Sequence, residues 1–349
     1  MRELRQWLVS SIVIASLVSS VFAQYMESEP NDSRAQANAF TLNPGEWIQG
    51  VSMGSTGSEQ DYFLVRTAAA APAIYRYRLV LTSDIVGHTG EIRGQGQNPA
   101  PPGPWPGPVG TGNGNEGWVQ RSSSATNPPR FVQWYGFGRQ EQIYYRVTGT
   151  SSTTEPYRAT LERLEITPTN LGTFQPGTIT ISTIGGTVLN TDLWVYDGNF
   201  NAIPGYGNDN ESTDGGGTGT TNQSLLRRDY APGVYYLALT RWDLVNEQGS
   251  PSDDRWRTGG MLFPENAGAV LSSASTTTPA TFTFTVTDSA GTQSFSFTGM
   301  ESYEIKWFRF EVVPEPASVV ALSVGVVSLL GFHRRRARHS GTPNIFPLT

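Results

Sequence analysis

Thr281-Phe282-Thr283-Phe284-Thr285-Val286-Thr287, then Asp288-Ser289-Ala290-Gly291, then Gln293-Ser294-Phe295-Ser296-Phe297, is the stretch on which the fold turns. Polar and apolar residues alternate with period two on both sides of a short turn. This is the pattern of a β-hairpin with one face in a core and the other in water. Phe282, Phe284 and Val286 fall on one face. Outward from the hairpin the pattern returns: Glu304-Ile-Lys-Trp-Phe-Arg-Phe-Glu-Val312 reads as a last strand, and Tyr75-Arg-Tyr-Arg-Leu-Val-Leu81 sets Tyr75, Tyr77, Leu79 and Leu81 against Arg76 and Arg78. Asp61-Tyr-Phe-Leu-Val-Arg66 and Gln142-Ile-Tyr-Tyr-Arg-Val147 are rich in aromatic and branched residues, as strands are. Short strands separated by Gly and Pro argue for an all-β chain of sandwich type.

The chain has 349 residues, no cysteine, 38 Gly, 23 Pro and 15% charged residues. Its length suggests about two domains. The absence of cysteine excludes disulfide frameworks, thiolate zinc sites and cysteine nucleophiles. Of the formal charge of −6, Arg2, Glu3 and Arg5 contribute +1 and Arg334, Arg335, Arg336 and Arg338 contribute +4, which leaves −11 for the region between the two ends. A surface of that sign favours cations and disfavours nucleic acid as a general partner.

Both ends read as targeting signals. Arg2 and Arg5 precede an apolar stretch from Trp7 to Phe22, and Val21-Phe22-Ala23 offers small residues at a cleavage site between Ala23 and Gln24, so residues 1–23 are expected to be a secretory signal peptide. Near the other end, Val313-Pro314-Glu315-Pro316 leads into an uncharged apolar run, 317–332, and then His333-Arg334-Arg335-Arg336-Ala337-Arg338. As a helix the run rises about 24 Å against a hydrocarbon core of about 30 Å, a gap that a thin bilayer or arginines snorkelling from Arg334 onward close at modest cost. The arginines belong on the cytoplasmic side.

Pro314-Glu315-Pro316, the apolar segment and the Arg cluster together resemble the PEP-CTERM sorting signal of bacterial exosortase substrates, over about the last tenth of the chain. The resemblance implies membrane-tethered export, cleavage near Pro-Glu-Pro by an exosortase-type membrane peptidase, and delivery to the cell surface or extracellular matrix. The tail from Ser340 to Thr349 departs from it, since such proteins usually stop soon after the arginines.

The region 24–163 opens with Glu27-Ser-Glu29-Pro-Asn31-Asp32-Ser33 and continues to Gly50 and Asp61-Tyr62-Phe63. This order resembles the bacterial pre-peptidase C-terminal domain, a small β-sandwich that opens with Glu-Pro-Asn-Asp and continues to Asp-x-Asp-Tyr-Phe. Here Glu59 and Gln60 precede Asp61, so the first acid of the second motif is displaced or missing. By that resemblance Glu27, Glu29, Asn31 and Asp32 match a calcium-chelating segment, with Asp61 as a further ligand. The chemistry suits Ca²⁺, which takes six to eight hard oxygens. A solvated polar entrance with Asp32 or Ser33 forming a turn is the plainer alternative. Within this region Gly87 to about Asn115, dense in Gly and Pro, reads as a long exposed insertion.

The region 164–312 repeats the pattern. Asp192 to Asn199 and Pro232 to Leu239 resemble two strands of the same sandwich family, without an opening motif of their own. Asp209-Asn-Glu211-Ser-Thr-Asp214-Gly-Gly-Gly217 is a second acidic loop, read either as a weaker calcium site or as a plain surface loop, and Asp253 and Asp254 are further oxygen donors if they lie nearby.

No Gly-x-Ser-x-Gly, His-Glu-x-x-His, phosphate loop or dinucleotide fingerprint occurs, and the only histidines are His88, His333 and His339. The expectation is thus two tandem β-sandwich (jelly-roll-like) domains, 24–163 and 164–312, between the signal peptide and a sorting segment, 313–339, whose transmembrane helix is 317–332, with 340–349 a disordered tail. The expected function is that of an exported, non-catalytic surface or matrix protein. The alternatives are a calcium-dependent carbohydrate- or polymer-binding module, favoured if Trp105, Trp118, Trp134 or Trp242 line one face and with exopolysaccharide as partner, and a hydrolase using unrecognised carboxylates.

Overall fold

The computed structural model describes residues 24–51, 60–83, 87–95, 116–122, 130–149, 156–249, 251, 253–254 and 268–314. The signal peptide expected at 1–23, Glu315 and Pro316, the transmembrane helix expected at 317–332, the arginine cluster and the tail lie outside the described residues. The chain is all-β: apart from one 3₁₀ turn, Arg34–Gln36, every described element is a strand. No helix among the described residues is long and apolar enough to cross a membrane.

The first half contains β1 (Gln24–Met26), β2 (Asn38–Leu42), β3 (Trp47–Gly50), β4 (Gln60–Thr67), β5 (Ile74–Ser83), β6 (Thr89–Gln95), β7 (Glu116–Ser122), β8 (Arg130–Gly136), β9 (Gln142–Thr148) and β10 (Tyr157–Ile166). They form two five-stranded sheets, in the orders β1-β3-β10-β5-β8 and β2-β4-β9-β6-β7. One core takes its side chains from both: Ile48, Leu79, Trp134 and Leu161 from the first sheet, Phe63, Val65, Ile92 and Ile143 from the second. The alternation in β5 is obeyed. Tyr75, Tyr77, Leu79 and Leu81 are buried, while Arg76 and Arg78 turn outward and reach Glu301 at 4.0 and 3.1 Å.

The second half contains β11 (Thr169–Phe174), β12 (Gly177–Ser182), β13 (Thr191–Asp197), β14 (Ala202–Asp209), β15 (Leu225–Tyr230), β16 (Gly233–Arg241), β17 (Leu244–Val245), β18 (Leu271–Ser272), β19 (Thr278–Asp288), β20 (Gly291–Met300) and β21 (Ile305–Val312). Its larger sheets run β11-β21-β16-β13-β14 and β15-β12-β19-β20, and β17 pairs with β18. The hairpin read from the sequence is β19–β20: Phe282 stands opposite Phe297 and Phe284 opposite Phe295, with ring centroids 5.0 and 5.4 Å apart. Phe282, Phe284 and Val286 are all buried.

Two expectations change. The insertion read from Gly87 does not begin there: Thr89–Gln95 is β6, paired on both sides with β7 and β9, and His88 is fully buried beside the Tyr157 ring. Only 96–115 of that stretch lies outside the described residues. Gly90 misled because glycine weakens a strand signal, yet here a side chain would collide with the Tyr145 hydroxyl, so glycine is what the packing requires. The two halves are also more closely joined than tandem units in series. Val245, Ala269 and Leu271, from the second half of the sequence, complete the first core. A third cluster, including Tyr135, Phe137, Trp194, Tyr196 and Trp307, lies between the halves.

Trp307 sits at the centre of that cluster, 3% exposed, with its ring 5.3 to 6.0 Å from those of Tyr196, Phe137 and Tyr135. Trp307→Ala is expected to cost about 3–5 kcal/mol and to shift one cooperative urea transition followed by circular dichroism. A two-step melt in which one step is unmoved would show that the halves fold independently.

Candidate functional site

The opening segment and β4 converge on one place. β1 runs parallel to β3 and ends at Met26, so the next residue, Glu27, is held against the end of β3: its N–H donates to the Gln49 carbonyl at 3.0 Å, and its Oε1 accepts the Val51 N–H at 2.5 Å. Glu27 Oε2 accepts the Tyr157 hydroxyl at 3.3 Å. A side chain at Gly50 would run into both this carboxylate and that hydroxyl, which explains the glycine at the end of β3. Asn31, fully buried, fastens the segment to β4: its carbonyl accepts the Tyr62 N–H at 2.9 Å, its N–H donates to Glu29 Oε2 at 2.9 Å, and its amide nitrogen, oriented to satisfy its hydrogen bonds, lies 3.1 Å from both oxygens of Glu29.

These contacts bring ligand oxygens of Glu27, Glu29 and Asp61 within 4.8 Å of one another. Asp61 is 1% exposed, and its Oδ2 has no hydrogen-bond partner among the described residues. Burial pushes its carboxyl up to about 8; the Tyr157 hydroxyl opposes the shift, and the charges of Glu27 and Glu29 add to it. The Glu27 carboxyl is also raised, by burial first and by Glu29, against the pull of the Val51 N–H. Closely spaced hard oxygens, one of them buried and unpartnered, are a donor set that suits a divalent cation such as Ca²⁺ and is costly without one.

Of the five residues expected here, Glu27, Glu29 and Asp61 form the cluster and Asn31 braces it. Asp32 is exposed and lines a separate hollow with Arg34, Gln60, Tyr62, Arg93 and Arg146. Tyr157 was not anticipated, since a tyrosine in an alternating strand carries no sign that it faces an acid over a hundred residues away.

In the second acidic loop the three expected residues have separate surroundings. Glu211, buried, accepts the N–H groups of Thr218 at 2.8 Å, Thr221 at 2.6 Å and Thr220. Burial works against its charge, but the Thr221, Thr218 and Thr220 N–H groups outweigh it and hold the carboxyl below its usual range. It organises the loop. Asp214 is exposed. Asp209 is buried directly opposite Asp192 across the β13–β14 ladder, and its N–H donates to Asp254 Oδ2 at 3.4 Å. Asp192 is raised well above the carboxylate range by burial first, then by Asp209, with Asp243 and Asp254 adding. Asp253 is paired with Arg228 at 2.7 Å. Asp192 was missed, although a lone acid at the head of the apolar run Leu193-Trp194-Val195 was the available signal.

No protein-family model matches the chain, and no curated protein matches it.

The raised Asp61 carboxyl makes the cation-free protein sensitive to pH. Between its ordinary 3.8 and about 8 the folded chain holds a proton that the unfolded chain has released, so this contribution to stability is full below about pH 4 and is lost as the pH rises through 8. In EDTA the melting temperature is expected to fall from pH 5 to pH 8, and Asp61→Asn, which cannot ionise, to flatten that fall. A slope unchanged by the substitution would remove Asp61 as its source.

Proposed function

We propose that the protein is an exported, non-catalytic component of a bacterial cell surface or extracellular matrix, built of two tandem β-sandwich modules of the pre-peptidase C-terminal type. In this reading a secretory signal leads the chain out, a PEP-CTERM segment around Pro314, Glu315 and Pro316 tethers it, and an exosortase-type peptidase releases it. The observation that carries the reading is the convergence of Glu27, Glu29 and Asp61: three acids around a buried, unpartnered carboxylate oxygen, at the opening motif that the resemblance marks as a calcium segment. Millimolar calcium is plentiful outside cells, where such a cluster costs least. In this role the ion is structural: it offsets the repulsion among the carboxylates and clamps the opening segment to β4.

The end of the fold bears on processing. β21 is an inner strand, parallel to β11 on one side and antiparallel to β16 on the other, and the Val313 N–H still donates to the Phe174 carbonyl at 3.0 Å. The sorting segment therefore starts one residue beyond a doubly paired strand, and a peptidase acts at the edge of the folded body rather than along a slack tether.

The second reading, a polymer-binding module, is favoured by Trp118, 56% exposed on a sheet face, and by Trp242, 53% exposed; Trp134 is fully buried in the core and takes no part. Trp105 lies outside the described residues.

Added Ca²⁺ at a hundredfold excess over its dissociation constant is expected to stabilise the protein by about 2.7 kcal/mol, more at pH 8 than at pH 5. Asp61→Asn should abolish the gain and Asp32→Ala should leave it; a melt indifferent to Ca²⁺ and EDTA would refute the metal. Mass spectrometry of the mature protein should find a new N-terminus at Gln24 and a C-terminus near Pro316. A chain intact at both ends inside the cell would overturn the export reading.

A further inference from the structure

The β19–β20 hairpin leaves one strand unfinished. β20 ends the β15-β12-β19-β20 sheet, and among the described residues no strand pairs with its free side. Facing residues of a hairpin alternate between pairs that exchange both backbone hydrogen bonds and pairs that exchange none. The two-residue turn Ser289-Ala290 closes on Asp288 paired with Gly291, so Val286 with Gln293, Phe284 with Phe295 and Phe282 with Phe297 are bonded in the same way. Thr292, Ser294, Ser296 and Thr298, opposite Thr287, Thr285, Thr283 and Thr281, are not. Thr283 shows the phase: its N–H donates to the Gly186 carbonyl at 2.9 Å, on the side away from β20. The backbone N–H and C=O groups of Thr292, Ser294, Ser296 and Thr298 therefore point out of the sheet edge, and all four residues are exposed.

Edges of this kind are usually blunted by a lysine, a proline or an inward-pointing charge. From Gly291 to Met300, β20 has neither a charge nor a proline. Its inward rings, Phe295 and Phe297, pack against the core of the second half, Phe295 at 5.4 Å from Phe284 and Phe297 at 5.8 Å from Phe308, yet both are only half-buried, since among the described residues no strand stands beyond them. Charges close to the edge are answered within the chain. Lys306, 5.9 Å from the centroid of the Phe297 ring, is paired with Glu304 at 2.7 Å, and Glu301, just past the strand, with Arg78 at 3.1 Å. Asp288, before the turn, accepts the N–H groups of Gln175, Ala290 and Gly291.

We propose that β20 pairs with β20 of a second copy of this chain, antiparallel about a two-fold axis through Phe295, and so joins two four-stranded sheets into one continuous sheet. In this register Ser294 stands opposite Ser296 of the partner subunit and Thr292 opposite Thr298 of the partner subunit, and the backbone groups left pointing outward in each copy bond one another. Phe295 meets its own copy across the axis in a pair of the closer, non-bonded kind, so the half-buried rings extend the core into the partner. Hydroxyl faces hydroxyl and ring faces ring, which makes the strand complementary to itself. The chain's overall negative charge repels a second copy in general, and an uncharged strand is where two copies approach at least cost. The inference depends neither on calcium nor on export.

The purified protein, kept in EDTA so that the cation site plays no part, is followed by sedimentation velocity over a range of concentrations and is expected to show a monomer–dimer equilibrium. Ser294→Lys combined with Ser296→Lys sets like charges directly opposite each other on both sides of the axis and should weaken dimerisation about tenfold or more. Ser294→Lys combined with Ser296→Glu sets opposite charges in the same places and should restore it. Both variants alter only exposed positions, and the second shows that the first acts through charge across the axis rather than through loss of the fold. A monomer at every concentration, a dimer indifferent to the double lysine variant, or a lysine–glutamate variant that fails to restore dimerisation overturns the proposal.

Discussion

Strand β8 has no face turned to water, and much of the molecule follows from that. Val132 and Trp134 point into the first core, while Gln133 and Tyr135 point into the second half. On the side of the second half its side-chain polar groups find partners, whereas the Trp134 indole N–H on the other side has none among the described residues. The Gln133 amide donates to the Tyr303 carbonyl at 2.9 Å, the Tyr135 hydroxyl accepts the Ile305 N–H at 3.1 Å, and Tyr135 exchanges backbone hydrogen bonds with Val270. Gln120 closes the seam, since its amide nitrogen reaches both the Gln133 carbonyl and the Ser272 carbonyl at 2.7 Å. Because all of these bonds but the one from Gln120 to Gln133 are made across sequence distances of over a hundred residues, neither half presents a finished surface to the other.

The same body treats its acids in two opposite ways. Glu91 is buried among three arginines and its charge is more than answered. Asp61, buried to a similar degree, faces two further carboxylates and a tyrosine. The first arrangement is complete within the protein; in the second, the Asp61 Oδ2 has no hydrogen-bond partner among the described residues. Both lie on the first half, on the strands β4, β6 and β9 and the segment that leads into them.

Period-two alternation was enough to read the all-β class, the β19–β20 hairpin and the inward face of β5, because a buried face is written locally in a strand. The grouping of Glu27, Glu29 and Asp61 was legible only through the family resemblance of the motif. What could not be read depends on register between strands far apart in the chain: that Asp192 meets Asp209, that Tyr62, Arg146, Glu91 and Arg121 form a row, and that Asp32, one residue past Asn31, faces elsewhere. His88 and β6 were hidden for a different reason. Gly87, Gly90 and Gly94 imitate a loop, and only the Tyr145 ring beside Gly90 shows why glycine belongs in that strand.

The position of β21 has a mechanical consequence. Hydrogen-bonded to β11 and β16, it ends at Val312, two residues before Pro314. Tension applied at Pro314 along the strand would load both ladders in shear, every bond sharing the force at once, instead of peeling an edge strand open one bond at a time. If the proposed sorting segment fixes the protein to a surface, it does so through a strand loaded in shear on both sides.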